Sequence, residues 1–164
     1  MKPSRHQARE VALQILYRYD MALQAAGGQP APTVPVMVKL PTAPSLTAPS
    51  VVIEELNRHF EHFKTPEELR GFAAELVAGS LRELSTLDGL LEKHASNWKV
   101  GRMGFVDRNL LRMSIYELSH FPDTPASVVI DEAIELAKQF GTAESPAFIN
   151  GVLDAVKTGM AQTA

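Results

Sequence analysis

The side chains that suggest chemistry in this sequence are two arginines near its start. Arg5 and Arg9 are four residues apart, so on a helix they share one side, at the edge of the apolar stripe. Cations are mildly unfavourable at the start of a helix, because the helix dipole is positive there. One interpretation is that both side chains lie along the surface and cover apolar neighbours. The other is that the arginines and the helix end together bind an anion such as a phosphate.

Positive charge is concentrated in two segments of a chain whose formal net charge is −3. Residues 1–19 contain four lysines and arginines against one glutamate, and residues 93–112 contain five against one aspartate. The remainder is therefore acidic. If folding brings the two segments together, they form one basic patch suited to nucleic acid; otherwise they are two solvated faces.

No motif for catalysis or metal binding stands out. The sequence has no phosphate-binding loop, no dinucleotide-binding glycine motif and no nucleophile elbow. It has no cysteine, which excludes disulfides, thiolate zinc sites and a thiol nucleophile. His59 and His62 are three residues apart, but a metal site needs further ligands that the sequence does not indicate. We therefore predict no enzymatic activity, no cofactor and no metal.

Apolar residues at helical spacing predict an all-α fold of about seven helices. The first helix starts at Ser4, which forms a capping box with Gln7. Thr65 and Pro66 start the third helix, and Gly141 ends the sixth. The last four helices are expected at residues 87–96, 106–120, 128–140 and 145–156.

Residues 27–50 interrupt the helical pattern. They contain six of the chain's 11 prolines, and Lys39 is their only charged residue. Proline at this density prevents a helix and favours extended backbone. We predict a long inserted loop within a single domain that spans residues 1–164.

Three residues predict how the helices pack. Glu132 lies among apolar residues of the sixth helix and Arg112 among those of the fifth, so we expect the two to pair and dock these helices. Gly151 predicts a close contact between the last helix and a neighbour.

The sequence does not indicate a membrane segment. No stretch approaches the roughly 18 consecutive apolar residues of a membrane span. Charged and polar residues interrupt every apolar run among the first twenty residues, unlike a signal peptide. We expect a cytoplasmic protein.

Several stretches resemble the NusB family of bacterial transcription antitermination factors. "SRHQAREVALQILYRYD" resembles the family's first helix, and "NLLRMSIYEL" and "VVIDEAIELAKQFGTAESPAFINGVLDAV" resemble its closing half. The resemblance implies two packed helical subdomains and no catalytic cofactor. It also implies that the chain binds the boxA element of ribosomal RNA leader transcripts together with ribosomal protein NusE, as part of the RNA polymerase antitermination complex.

The resemblance also implies site residues by position. On the RNA side these are Lys2, Arg5, His6, Arg9 and Phe148. On the NusE side they are Asp107 and Glu144. The RNA set is physically reasonable, because proteins hold single-stranded RNA by basic groups on its phosphates and by stacking on its bases. His6 stands where more basic family members have an arginine, which predicts weaker electrostatic attraction.

Two alternatives remain at this stage. Ribosomal RNA cytosine methyltransferases carry a NusB-like amino-terminal domain, so the chain would be a stand-alone relative of that domain. That enzyme needs a Rossmann-like catalytic domain and cysteines, neither of which this sequence contains. The other alternative is a homodimer whose interface covers the first helix and occludes the RNA site.

Overall fold

The described part of the chain is almost entirely helical, which confirms the all-α prediction. The computed structural model describes residues 4–25, 27, 37–40, 43–95 and 97–163, and these form seven α-helices and one β-hairpin. The helices are α1 (Arg5–Ala25), α2 (Ser50–His62), α3 (Glu67–Arg82), α4 (Leu84–His94), α5 (Phe105–His120), α6 (Ala126–Phe140) and α7 (Ser145–Thr163). They divide into two compact units, Met1–Arg82 and Glu83–Ala164.

The start of α1 is fixed by the predicted capping box. The Ser4 amide donates to Oε1 of Gln7 at 3.2 Å, and the Gln7 amide donates to Oγ of Ser4 at 3.3 Å. The apolar stripe of α1 is buried and packs against α3 within the first unit. This packing determines which side of α1 carries its basic residues.

The proline-rich segment contains a hairpin where we predicted a loop. Strand β1 (Met37–Leu40) pairs antiparallel with β2 (Ala43–Pro49), and β2 runs alongside α3. The extended backbone of these residues agrees with their proline content, whereas the pairing of the two strands was not predicted. Each proline lacks only its own N–H, so neighbouring residues still pair their backbone groups. Residues 28–36 and 41–42 lie outside the described residues, and Ser50 already belongs to α2.

Helix α5 lies at the centre of the second unit. It contacts α4, α6 and α7, and its residues from Arg108 to Glu117 are all buried. Leu136 of α6 and Leu153 of α7 are completely buried as well. Helix α7 continues to Thr163, beyond its predicted end at Val156.

One polar pair joins α4 to α5 inside this unit. Arg112 makes a two-point ion pair with Asp88, with Nε 2.7 Å from Oδ1 and Nη2 2.9 Å from Oδ2. Nη1 of Arg112 also donates to Oδ1 of Asn109 at 3.4 Å. The carboxylate of Asp88 on α4 is thus a partner of Arg112 that was not predicted from the sequence, and the pairing of Arg112 with Glu132 stays a prediction. A polar position within an apolar helix face indicates a partner but not which neighbouring helix supplies it.

Two glycines have surroundings that the sequence did not indicate. Gly151 is exposed, and a Cβ added there would meet no atom within 4 Å, so the prediction of a close helix contact was wrong. Gly141 ends α6 as predicted, but its φ of −92° is open to any residue. Its surroundings are crowded instead, because a Cβ would lie 2.5 Å from Oγ of Ser145 and 2.8 Å from the carbonyl oxygen of Ala137.

Candidate nucleic-acid interface

The two arginines predicted to bind an anion converge on one aromatic ring in the first unit. Phe72 of α3 is buried, and the guanidinium carbon of Arg5 lies 4.6 Å from its ring centroid. The guanidinium carbon of Arg9 lies 5.2 Å from the same centroid. A cation over an aromatic face is attracted by the ring's quadrupole, so Phe72 holds both side chains in place. Phe72 was not predicted from the sequence, because its contact with the two arginines depends on how α1 packs on α3.

The exposure of the basic residues distinguishes their roles. Arg5 is exposed, and no carboxylate among the described residues pairs with it. His6 is half-buried beside it. Arg9 is only 4% exposed, so its guanidinium lies beneath the surface. Lys2 lies outside the described residues. The start of α1 therefore presents Arg5 to solvent, with the charge of Arg9 buried behind it.

A cleft of about 500 Å³ opens beside the start of α1, between α1 and the end of α2. Glu10, Arg18 and His59 line it together with the exposed ring of Phe63. The ring of His59 lies 4.6 Å from that of Phe63, centroid to centroid. Burial is the main cause that lowers the pKa of His59 below its ordinary value of 6.5, followed by repulsion from His62 and Arg18, while Glu10 acts in the opposite direction.

This shift predicts that the first unit loses stability in mild acid. Because the folded pKa of His59 is lowered, the unfolded chain binds more protons, and the free energy of unfolding falls as the pH drops below about 6.5. The loss continues until the pH has passed through the lowered folded pKa. Urea unfolding at about pH 7.5 and about pH 5.5 should show a smaller pH effect for His59→Gln than for the unsubstituted chain. Equal pH effects for the two proteins would contradict the role of His59.

Two aromatic side chains contact each other in the second unit, next to exposed basic residues. Phe148 is half-buried in the first turn of α7, and its ring centroid lies 5.7 Å from that of Trp98 with the planes at 62°. Trp98 is 55% exposed, and Lys99 and Arg102 beside it are exposed. Trp98 was not among the candidate residues predicted from the sequence. The available signal was the chain's one tryptophan inside the basic segment 93–112.

The two acidic residues predicted to face a protein partner both belong to the second unit. Asp107 is half-buried in the first turn of α5, and its buried Oδ1 has no hydrogen-bond partner among the described residues. Glu144 is exposed in the turn before α7. His94, near the end of α4, lies against α7, where a Cβ on Gly159 would come within 2.7 Å of its Cε1.

Other kinds of site have little support in the described part of the chain. No group of three or more histidine or acidic residues is arranged there to hold a metal ion. None of the described helices is long and apolar enough to cross a bilayer. The functional interpretation therefore rests on the basic and aromatic surfaces.

Sequence comparison gives consistent relatives along almost the whole chain. The NusB family profile matches residues 39–158. The chain is 39% identical over 152 residues to the transcription antitermination protein NusB of Desulfatibacillum aliphaticivorans, covering 93% of this chain and 88% of that protein. It is 38% identical over 157 residues to the protein of the same name from Myxococcus xanthus, covering 96% of each.

Solved structures agree with the sequence comparison. NusB of T. maritima superimposes with a TM-score of 0.73 and 26% identity, over 96% of this chain and 93% of that one. A structure of antitermination factors NusB and NusE in complex with double-stranded RNA gives a TM-score of 0.70 at 24% identity, over 94% of this chain and 96% of that one. The second likeness concerns the fold alone.

Proposed function

We propose that this chain, which belongs to the NusB family, is a transcription antitermination factor. It binds boxA-type single-stranded RNA of ribosomal RNA leader transcripts together with ribosomal protein NusE, within the RNA polymerase antitermination complex. It acts in the cytoplasm as a binding protein and not as an enzyme, and residues 1–164 form one NusB-like RNA-binding domain. The observation that carries this proposal is the similarity to antitermination proteins along nearly the whole chain.

The RNA contact begins at the first turn of α1. Arg5 is exposed and has no carboxylate partner among the described residues, so a phosphate is a favourable counterion for it. Phe72 restricts the guanidinium before RNA arrives, which reduces the entropy lost on binding. Arg9 supports this site through its charge and its contact with Phe72, while His6 and Lys2 extend it. Phe148 contributes an aromatic contact from the second unit.

The NusE contact uses the acidic residues of the second unit. Asp107 is half-buried in the first turn of α5, where its carboxylate contributes negative charge. Glu144 adds an exposed negative charge before α7. A basic segment of the partner protein complements these two negative charges.

The contact at Arg5 predicts a specific salt dependence. Arg5→Ala should weaken binding of a short boxA-type RNA and reduce the slope of log affinity against log salt by about 0.7, because one phosphate contact is lost. Fluorescence anisotropy at several salt concentrations, with and without NusE, measures both quantities.

Arg18→Ala is the matched control for this experiment. Arg18 is on the same helix and is exposed, but it already pairs with Glu55 at 3.2 Å. Its removal should therefore leave the slope unchanged. An unchanged slope for Arg5→Ala would remove Arg5 from the RNA site. Absence of RNA binding by the unsubstituted chain, with and without NusE, would overturn the proposed function, and sedimentation at several concentrations would then show whether the chain is a homodimer.

A further inference from the structure

Trp98 is an exposed aromatic ring in the turn between α4 and α5. It is 55% exposed, although tryptophan is usually well buried in folded proteins. The backbone around it is ordered by turn hydrogen bonds, since the amide of Trp98 donates to the carbonyl oxygen of Ala95 at 2.8 Å and that of Arg102 donates to Lys99 at 2.9 Å. Ala95 and Val100 are buried on either side. The exposed ring is thus presented from an anchored turn.

The ring is supported on one side and open on another. Phe148 approaches it in a T-shaped arrangement, with the centroids 5.7 Å apart. Such an aromatic contact favours one orientation of the tryptophan ring. Trp98 also lines an open cleft of about 520 Å³ together with Glu92, Lys99 and Arg102. The cleft therefore joins one aromatic surface to two cations and one anion.

These features favour a nucleobase over a protein as the occupant. A hydrophobic protein-docking surface is built from contiguous apolar side chains. In the described part of the second unit, Val128 is the only other large hydrophobic residue that is strongly exposed. A single ring flanked by cations matches what single-stranded nucleic acid requires, namely a flat surface for a base and positive charge for the adjacent phosphates.

We propose that Trp98 stacks on a base of single-stranded RNA, while Lys99 and Arg102 contact the phosphates beside that base. Phe148 is then a positioning residue for Trp98 as well as part of the RNA site. This inference rests on the proposed function and deepens it, because it adds a stacking site in the second unit that the sequence did not indicate.

Titration of the chain with the same short boxA-type RNA tests this directly. Trp98 is the only tryptophan in the sequence, so its fluorescence reports on this site alone. We expect RNA to quench it. Trp98→Ala should raise the Kd by about tenfold at fixed salt without changing the salt slope, since stacking releases no counterions. Trp98→Phe should lose less affinity, because a smaller ring still stacks.

Charge variants and a matched control make the test independent of folding. Lys99→Ala and Arg102→Ala replace exposed side chains and should each reduce the salt slope by about 0.7. Val128→Ala removes the other strongly exposed large apolar side chain in the described part of the second unit and should bind RNA like the unsubstituted chain. Circular dichroism confirms that each variant retains its helices.

The outcomes separate this inference from the proposed function. If the unsubstituted chain binds RNA but Trp98→Ala binds equally well, the stacking site is wrong and the proposed function stands. If Trp98→Ala binds RNA normally and loses NusE, the cleft docks a protein and the inference is likewise overturned. If the unsubstituted chain neither binds RNA nor shows quenching, both proposals fall.

Discussion

Asp88→Ala is expected to lower the free energy of unfolding of the second unit by about 2 kcal/mol. The substitution removes the two Asp88 oxygens that hold the guanidinium of Arg112, whose side chain is only 10% exposed. Removing one partner of a fully buried ion pair costs more, but the Asp88 side chain is 29% exposed and water compensates in part. Urea unfolding followed by circular dichroism measures the loss.

Two further variants show whether burial is the cause. Glu135→Ala breaks the exposed pair of Glu135 with Lys138, whose side chains are 61% and 59% exposed, and should cost less than about 0.5 kcal/mol. Asp88→Ala combined with Arg112→Met should recover part of the stability, because a methionine fills the space without a buried charge. If Asp88→Ala costs no more than Glu135→Ala, the pair between α4 and α5 contributes little.

This pair also matters for the proposed RNA site. It fastens α4 to α5, and the turn that presents Trp98 connects those two helices. Asp88→Ala should therefore weaken RNA binding, because it displaces the turn that carries Trp98, Lys99 and Arg102.

The helices and their starts could be predicted because they depend on local sequence. The reciprocal hydrogen bonds of Ser4 and Gln7 involve residues three apart, and the apolar stripe of α1 repeats within a few turns. Neither feature depends on the rest of the fold. The same holds for the end of α6 at Gly141, although crowding and not a left-handed φ is the reason for glycine there.

Contacts between helices could not be predicted, because one helical pattern is compatible with several neighbours. Arg112 was recognised as a buried polar residue, but periodicity could not show that Asp88 of α4 faces it. Arg9 was placed correctly on α1, yet its burial depends on where α3 packs. Composition likewise indicated extended backbone for residues 27–50 without showing that two parts of it pair.

The candidate site residues divide in the same way, into local features that could be predicted and contacts between helices that could not. Arg5 could be found from spacing and from resemblance, because the feature lies within one helical turn. Trp98 and Phe148 are fifty residues apart in sequence, and only the packing of the second unit brings their rings together. The aromatic part of the site is thus a tertiary feature, whereas the basic part at α1 is largely a local one.

Gly141→Ala is expected to destabilise the second unit by about 2 kcal/mol, through overpacking of the turn between α6 and α7. The new Cβ would lie 2.5 Å from Oγ of Ser145, whose residue is 1% exposed and has little room to move. It would also lie 2.8 Å from the carbonyl oxygen of Ala137, which is part of the backbone of α6. Relief requires the turn to open, which breaks the hydrogen bond from the Thr142 amide to Oγ of Ser145.

Gly151→Ala on α7 is expected to raise the stability instead. Its Cβ enters open space at an exposed helical position, so the variant should gain about 0.5–1 kcal/mol from helix propensity. Urea unfolding of both variants compares the same chemical change in two surroundings. A turn opened by Gly141→Ala also displaces the start of α7, which carries Phe148, so RNA affinity should fall in that variant alone. Equal stability of the two variants would mean that the turn adjusts freely and does not hold α7 in place.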